Sequence, residues 1–132
     1  MKQLGILLLL LASYSSAAAQ PAEANSNIGY YGLEPEIVTN YITNTNNLGF
    51  IRVGVELMLH NADDMALVEQ HQPLIRAHLI EILGQQPADL IKSLSGREEI
   101  RRRCFEQISQ ALQQETGKEL LMNLLFTKYL YD

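Results

Sequence analysis

The sequence predicts an α+β fold: a single domain whose antiparallel sheet carries helices on one face. Three observations predict it. Phe50 to Leu59 alternates apolar and polar residues at period two, the pattern of a half-buried strand. The stretch from Pro73 to Gln114 instead places its apolar residues three and four apart, as helices do. Lys118 to Tyr131 then returns to an apolar, aromatic, strand-like pattern. Strands at both ends with helices grouped between them give the order β-β-α-α-α-β, which is an α+β layout.

The chain opens with a segment outside that layout. Met1-Lys2-Gln3 carries one basic side chain, Leu4 to Ala12 is apolar, and Ala17-Ala18-Ala19 precedes Gln20-Pro21. A basic start, a short apolar core and small residues at a cut site make up a secretory signal peptide. Cleavage is expected between Ala19 and Gln20, with residues 1–19 removed. The alternative is a short uncleaved anchor. At ~1.5 Å per residue, Leu4 to Ala19 would span ~24 Å against a hydrocarbon core of ~30 Å. Residues 20–27 have no apolar period and read as a flexible leader, so the folded domain is expected over 28–132.

Ile28 to Leu33 and Ile37 to Ile42 are rich in β-branched and aromatic residues, and Pro35 lies between them. Proline donates no ladder hydrogen bond, so the pair reads as one broken or bent edge strand. Thr43 to Gly49 is turn chemistry and makes a hairpin with the next strand. In that strand Ile51, Val53, Val55, Leu57 and Leu59 share the core face.

Asp63 or Asp64 is placed to cap a short helix ending near Gln70. Pro73 suits the first turn of the next helix, where Leu74, Ile75, His78, Leu79, Ile82 and Leu83 form a stripe. Gln86-Pro87 opens a short helical piece. Ser95-Gly96-Arg97-Glu98 has the spacing of a capping box. The helix it starts runs to about Gln114, with Ile100, Cys104, Phe105, Ile108, Ala111 and Leu112 inward, and Thr116-Gly117 breaks it. In the final strand Leu120, Met122, Leu124 and Phe126 fall at period two. Leu121 and Leu125 make its other face apolar too, which predicts cover on both sides.

Composition narrows the function. Of the 132 residues, 47% are hydrophobic, enough for a packed core, so the chain is not intrinsically disordered. Ten Lys and Arg against 15 Asp and Glu give a charge of -5, which argues against nucleic acid as partner. A single cysteine cannot form an internal disulfide or a cysteine-built zinc site.

Few residues offer chemistry. His60, Asp63, Asp64 and His71 are metal-ligand types, but their spacing matches no known motif and reads as loop and cap positions. Cys104 follows Arg101, Arg102 and Arg103, yet it lies on the apolar stripe and reads as a buried, inert thiol. No nucleophile-elbow serine is present. Neither catalytic residues nor a cofactor are expected. Arg97, Arg101 and Arg102 are the candidate partner surface, a basic patch on an acidic domain; the alternative is local pairing with Glu98 or Glu106.

Ile28 to Asn40, Phe50-Ile51-Arg52-Val53, Pro73-Leu74-Ile75-Arg76, Ser95-Gly96-Arg97-Glu98 and Leu124-Leu125-Phe126-Thr127 with Tyr129-Leu130-Tyr131 occur in that order. Together they resemble the flagellar basal-body-associated FliL family over roughly Tyr30 to Tyr131. The resemblance implies a stomatin-like periplasmic domain without enzymatic activity. It also implies flagellar motor and stator components as partners, a homo-oligomeric ring, and a role in swimming or swarming motility and chemotaxis. Association with the inner membrane at the basal body would follow, although the signal-like start differs from the family's full membrane-spanning helix. Two other readings stay open: an exported small metal-dependent enzyme, and a stomatin-like periplasmic scaffold unrelated to motility.

Overall fold

Eleven consecutive residues, Gly49–Leu59, form the central strand β3, and the fold is arranged around it. The computed structural model describes residues 27–45 and 47–132. The expected cleavage site at Ala19 and Gln20 and all but the last residue of the expected leader lie outside the described residues. That last residue, Asn27, is held by the fold: its carbonyl accepts from the Ala62 amide at 2.6 Å, and its side chain donates to Asn61 at 2.7 Å.

β1 (Gly29–Gly32) and β2 (Ile37–Tyr41) both pair antiparallel with β3. β1 lies opposite residues 56–59 of β3, and β2 lies opposite residues 49–53. They therefore form one edge strand in two pieces, as the sequence suggests, with a cis Glu34–Pro35 peptide between them. β4 (Leu121–Tyr131) pairs antiparallel along the other edge of β3.

Four helices separate β3 from β4, after a 3-10 turn at Ala62–Asp64: α1 (Met65–Gln70), α2 (Gln72–Gly84), α3 (Ala88–Lys92) and α4 (Leu94–Thr116). The α+β class and the antiparallel sheet agree with the sequence; the element order is fuller than β-β-α-α-α-β. α2 and α4 pack against one another, α2 beneath β2 and α4 beneath β4. Ile51, Val53, Val55, Leu57 and Leu59 of β3 all face these helices and are buried. They meet Ile75, Leu79, Ile82 and Leu83 of α2 and Ile100, Cys104, Ile108 and Leu112 of α4. Each large aliphatic side chain removed from water in this way contributes about 1.5–3 kcal/mol before ordering entropy is subtracted.

The helix ends differ from the sequence reading. Asn61, not Asp63 or Asp64, supplies the capping oxygen, accepting from the Asp63 amide at 2.9 Å. α4 is capped two residues earlier than expected, by Ser93, whose hydroxyl accepts from the Gly96 amide at 3.0 Å. Ser95 makes no capping bond because Gly96 must already be helical. A Cβ at Gly96 would overlap the Leu90 carbonyl oxygen of α3, so this turn closes against α3 with no room for a side chain. At the far end Gly117 adopts φ 73°, the left-handed stop that glycine takes without strain.

β4 corrects the expected face assignment. Its register with β3 shifts twice: Met122 and Thr127 are extra residues with no partner of their own. Each bulge reverses the alternation. Leu120, Leu124 and Phe126 lie on the core side as the sequence predicts, Leu121 and Tyr129 join them, and Met122 is exposed. The strand is not covered on both sides either. Helices occupy one face of the sheet, and Leu125 and Leu130 look away from them.

Candidate functional site

Cross-strand pairing fixes what the uncovered face of the sheet presents. Residues opposite one another in an antiparallel ladder share a face. Outward of β3 this gives one rung of Tyr30, Met58 and Asn123, and another of Val38, Arg52 and Leu130, with Asn40 and Phe50 beyond. Leu130 is 56% exposed and Phe50 43%. Between these apolar residues sits Glu36. One of its carboxylate oxygens meets Lys128 Nζ at 2.6 Å, and the other meets Arg52 Nε at 3.7 Å. The face thus carries apolar side chains around a small ion cluster of mixed sign. That composition suits contact with another protein.

The three candidate arginines on α4 do not form one patch. Arg101 turns toward the outer edge of β4. Its Nε donates to Glu98 at 2.9 Å; one terminal nitrogen donates to Asn123 Oδ1 at 2.9 Å and to the Leu124 carbonyl at 3.0 Å. Asn123 Oδ1 also accepts from the Leu124 amide at 2.8 Å. Both backbone groups of Leu124 are thereby satisfied by side chains. Its hydrogen bond to Arg101 holds the Glu98 carboxyl below the usual carboxylate range, and the same contact raises Arg101. Arg97 instead lies over the Tyr129 ring, 4.9 Å from its centroid. Arg102 is exposed. The pairing of Arg101 with Glu98 is the local alternative the sequence offered; Glu106 takes no part in it.

The remaining chemistry-bearing types are dispersed. His60 is exposed at the end of β3, and Asp64 pairs with Lys118 at 3.4 Å. His71 places Nδ1 2.8 Å from the Leu67 carbonyl, and His78 is bonded to Gln107. Among the described residues no three His, Cys, Asp or Glu side chains converge on one point. Cys104 is fully buried, and burial pushes its thiol up to about 12. A thiol so placed holds its proton and is a poor nucleophile.

What distinguishes this chain is therefore its surface and its fold, and comparison with known proteins bears on both. A family model described as "Flagellar basal body-associated protein FliL" matches residues 30–131, almost the whole described domain. The chain belongs to the FliL family. It is also similar to the flagellar protein FliL of Aquifex aeolicus (strain VF5), 26% identical over 110 residues. That alignment covers 83% of this chain and 65% of the relative, so the chain spans just under two thirds of the relative's length. Among the described residues no helix is long and apolar enough to cross a membrane.

The segments that resemble FliL proteins in sequence now have places in the fold. Tyr30 to Asn40 is the broken edge of the sheet, Phe50 to Val53 begins β3, Pro73 starts α2, Gly96 locks α4 against α3, and Leu124 to Tyr131 is β4. All of them build the scaffold, and the three strand segments also supply Val38, Phe50 and Leu130 to the uncovered face. The sequence reading missed Glu36, Val38, Phe50, Leu130 and Asn123 as surface residues. Strand alternation marks Phe50 as outward. The same alternation marks Asn123, between Met122 and Leu124, but Leu130 carries no such signal, because the bulge at Thr127 that orients it depends on pairing with β3.

Proposed function

We propose that this FliL-family domain is a non-enzymatic component of the flagellar basal body that supports motor and stator function, and through it swimming or swarming and chemotaxis. The observation that carries the reading is the family match across residues 30–131. A domain of this kind acts by binding, so its effect comes through contacts that differ between states of a partner. The uncovered sheet face, with Val38, Phe50 and Leu130 around the Glu36 cluster, supplies a surface of suitable chemistry. In the same reading the chain is exported by its N-terminal segment, works in the periplasm beside the inner membrane, and assembles as a homo-oligomeric ring on the motor.

The test is a deletion strain. Its filaments assemble, but its swimming speed falls, most visibly as medium viscosity raises the load. Complementation with the wild-type gene restores speed; complementation with Leu130→Asp, which leaves the core untouched, restores it in part. A deletion strain that matches wild type at every viscosity would remove the motor assignment.

A further inference from the structure

The outer edge of β4 differs along its length. In an antiparallel pair, successive residues of an edge strand point their backbone N–H and C=O alternately toward the partner and away from it. The His60 amide bonds the Leu120 carbonyl and the Asp132 amide bonds the Phe50 carbonyl, which fixes the phase at both ends. With the bulges at Met122 and Thr127, the outward backbone groups belong to Leu121, Leu124, Phe126, Tyr129 and Tyr131. Leu124 is sealed by Arg101 and Asn123. Among the described residues no side chain bonds the outward backbone of Phe126, Tyr129 or Tyr131.

A groove of about 390 Å³ opens at the Phe126 end of this stretch, lined by Leu94, Arg97, Glu98, Arg101, Leu125 and Phe126, and Arg97 carries it on to the Tyr129 ring. The four α4 residues fall at spacings of three, four and seven, so one stripe of the helix forms the wall. Leu94 on that wall is 86% exposed, the highest value among the large apolar residues. The charges in the groove are not balanced. Glu98 is taken by Arg101, whereas Arg97 has no carboxylate partner among the described residues and only the Tyr129 ring beneath it.

We infer that this groove accepts an extended acidic peptide segment, which adds to the sheet as a further strand on β4 between Phe126 and Tyr131. The backbone of the segment pairs with the open edge. Its side chains alternate, so two residues spaced i and i+2 both face α4. One is apolar and packs on Leu94; the other is a carboxylate that meets Arg97. The Arg101 and Asn123 plug sets the end of the paired stretch. The inference is independent of the motor reading, since any acidic extended segment meets the same chemistry.

The probe is a capped eight-residue synthetic peptide of alternating Thr and Val with one central Asp, titrated into isotopically labelled protein. Amide signals of Phe126, Tyr129 and Tyr131 are expected to shift in a saturable way while that of Leu124 moves little. Methylating the peptide nitrogens on the edge that pairs with β4 should weaken binding at least about tenfold, through two or more lost hydrogen bonds, and methylating the opposite edge should not. Arg97→Gln should weaken binding roughly fivefold, an effect that shrinks for the same peptide with Asn in place of Asp. Leu94→Asp should abolish binding while leaving the thermal melt unchanged. Equal affinity for the two methylated peptides would overturn the strand-addition geometry. Self-association of the protein through this groove, relieved by Leu94→Asp, would make the occupant a second copy and overturn the peptide assignment. Absence of any shift at millimolar peptide would overturn it as well.

Discussion

The two faces of the sheet are made from alternate residues of the same strands, yet they obey different rules. On the inner face Ile51, Val53, Val55, Leu57 and Leu59 are shut away from water by α2 and α4. On the outer face Val38, Phe50 and Leu130 are just as apolar but stand in solvent around Glu36, Arg52 and Lys128. Folding accounts for the first set, because its burial drives collapse. It does not account for the second, whose exposure contributes nothing to the stability of the isolated domain. On the proposed reading the open face is where a partner binds, so stability belongs to one face and recognition to the other.

The sharpest way to break that division is to place a charge on each side. Leu124→Asp buries a carboxylate among Leu57, Ile100 and their neighbours, with no partner to pair it. The cost is several kcal/mol against a total stability of roughly 5–15 kcal/mol, so the variant should be unfolded at 25 °C by circular dichroism. Leu130→Asp on the opposite face should keep its unfolding free energy to within the roughly 0.5 kcal/mol typical of surface changes. A folded Leu124→Asp protein would show that the inner face is not the core.

Gly96→Ala comes next. The added methyl has no room beside the Leu90 carbonyl, so α4 must move away from α3. Overpacking of this kind costs about 1–3 kcal/mol. Denaturant titration should show that loss with an unchanged slope. An alanine variant as stable as wild type would mean that the contact between α3 and α4 gives way easily, and that the inner layer is looser than its burial implies.

The same division explains how much could be read from the sequence. β3 was legible because its partners on both edges preserve strict alternation. The broken edge strand was legible because Pro35 announces the break. β4 was legible only in part. Leu120, Leu124 and Phe126 do lie on the core side, but a bulge puts Met122 in solvent and a second, at Thr127, turns Leu130 outward, both set by pairing with a strand 62 to 80 residues earlier. Caps were off by two residues for a related reason. Ser93 and Ser95 both have capping chemistry, and only the approach of Gly96 to α3 decides between them. Arg101 was visible as a charge, but its role at the edge of β4 depends on Asn123 and the Leu124 backbone, which a local reading cannot bring together.

Alkaline pH separates the faces with a smaller effect. Burial raises Cys104 from 9.0 to about 12, so the folded state holds a proton that the unfolded state releases first. The sign follows directly: stability is full below pH 9 and falls as pH rises from 9 toward 12, because the unfolded chain ionises in that window while the folded one does not. Tyr129, raised from 10.0 to about 12 chiefly by burial, adds to the fall from pH 10 upward. Melting temperature should therefore decline steadily above pH 9. Native protein at pH 8 should resist iodoacetamide and take up one equivalent once unfolded. Rapid alkylation of the native protein would contradict the burial.

The smallest effect belongs to the ion cluster on the open face. Glu36→Gln removes the carboxylate that draws Lys128 and Arg52 together. All three side chains keep access to water, with Arg52 and Lys128 about half exposed. Pairs of this kind are worth about 0–1 kcal/mol, since water screens them and ordering two long side chains costs entropy. The variant should melt within a few degrees of wild type, and the gap should narrow in about 1 M salt, where the screening length falls to roughly 3 Å. What changes is the surface: a central negative charge is lost, leaving two cations among Val38, Phe50 and Leu130. If the outer face is for recognition, Glu36→Gln lowers swimming speed in a complemented deletion strain while the melt hardly moves. If the variant instead loses as much stability as Gly96→Ala, the cluster is holding β2 to β3 and β4, and the outer face belongs to the architecture after all.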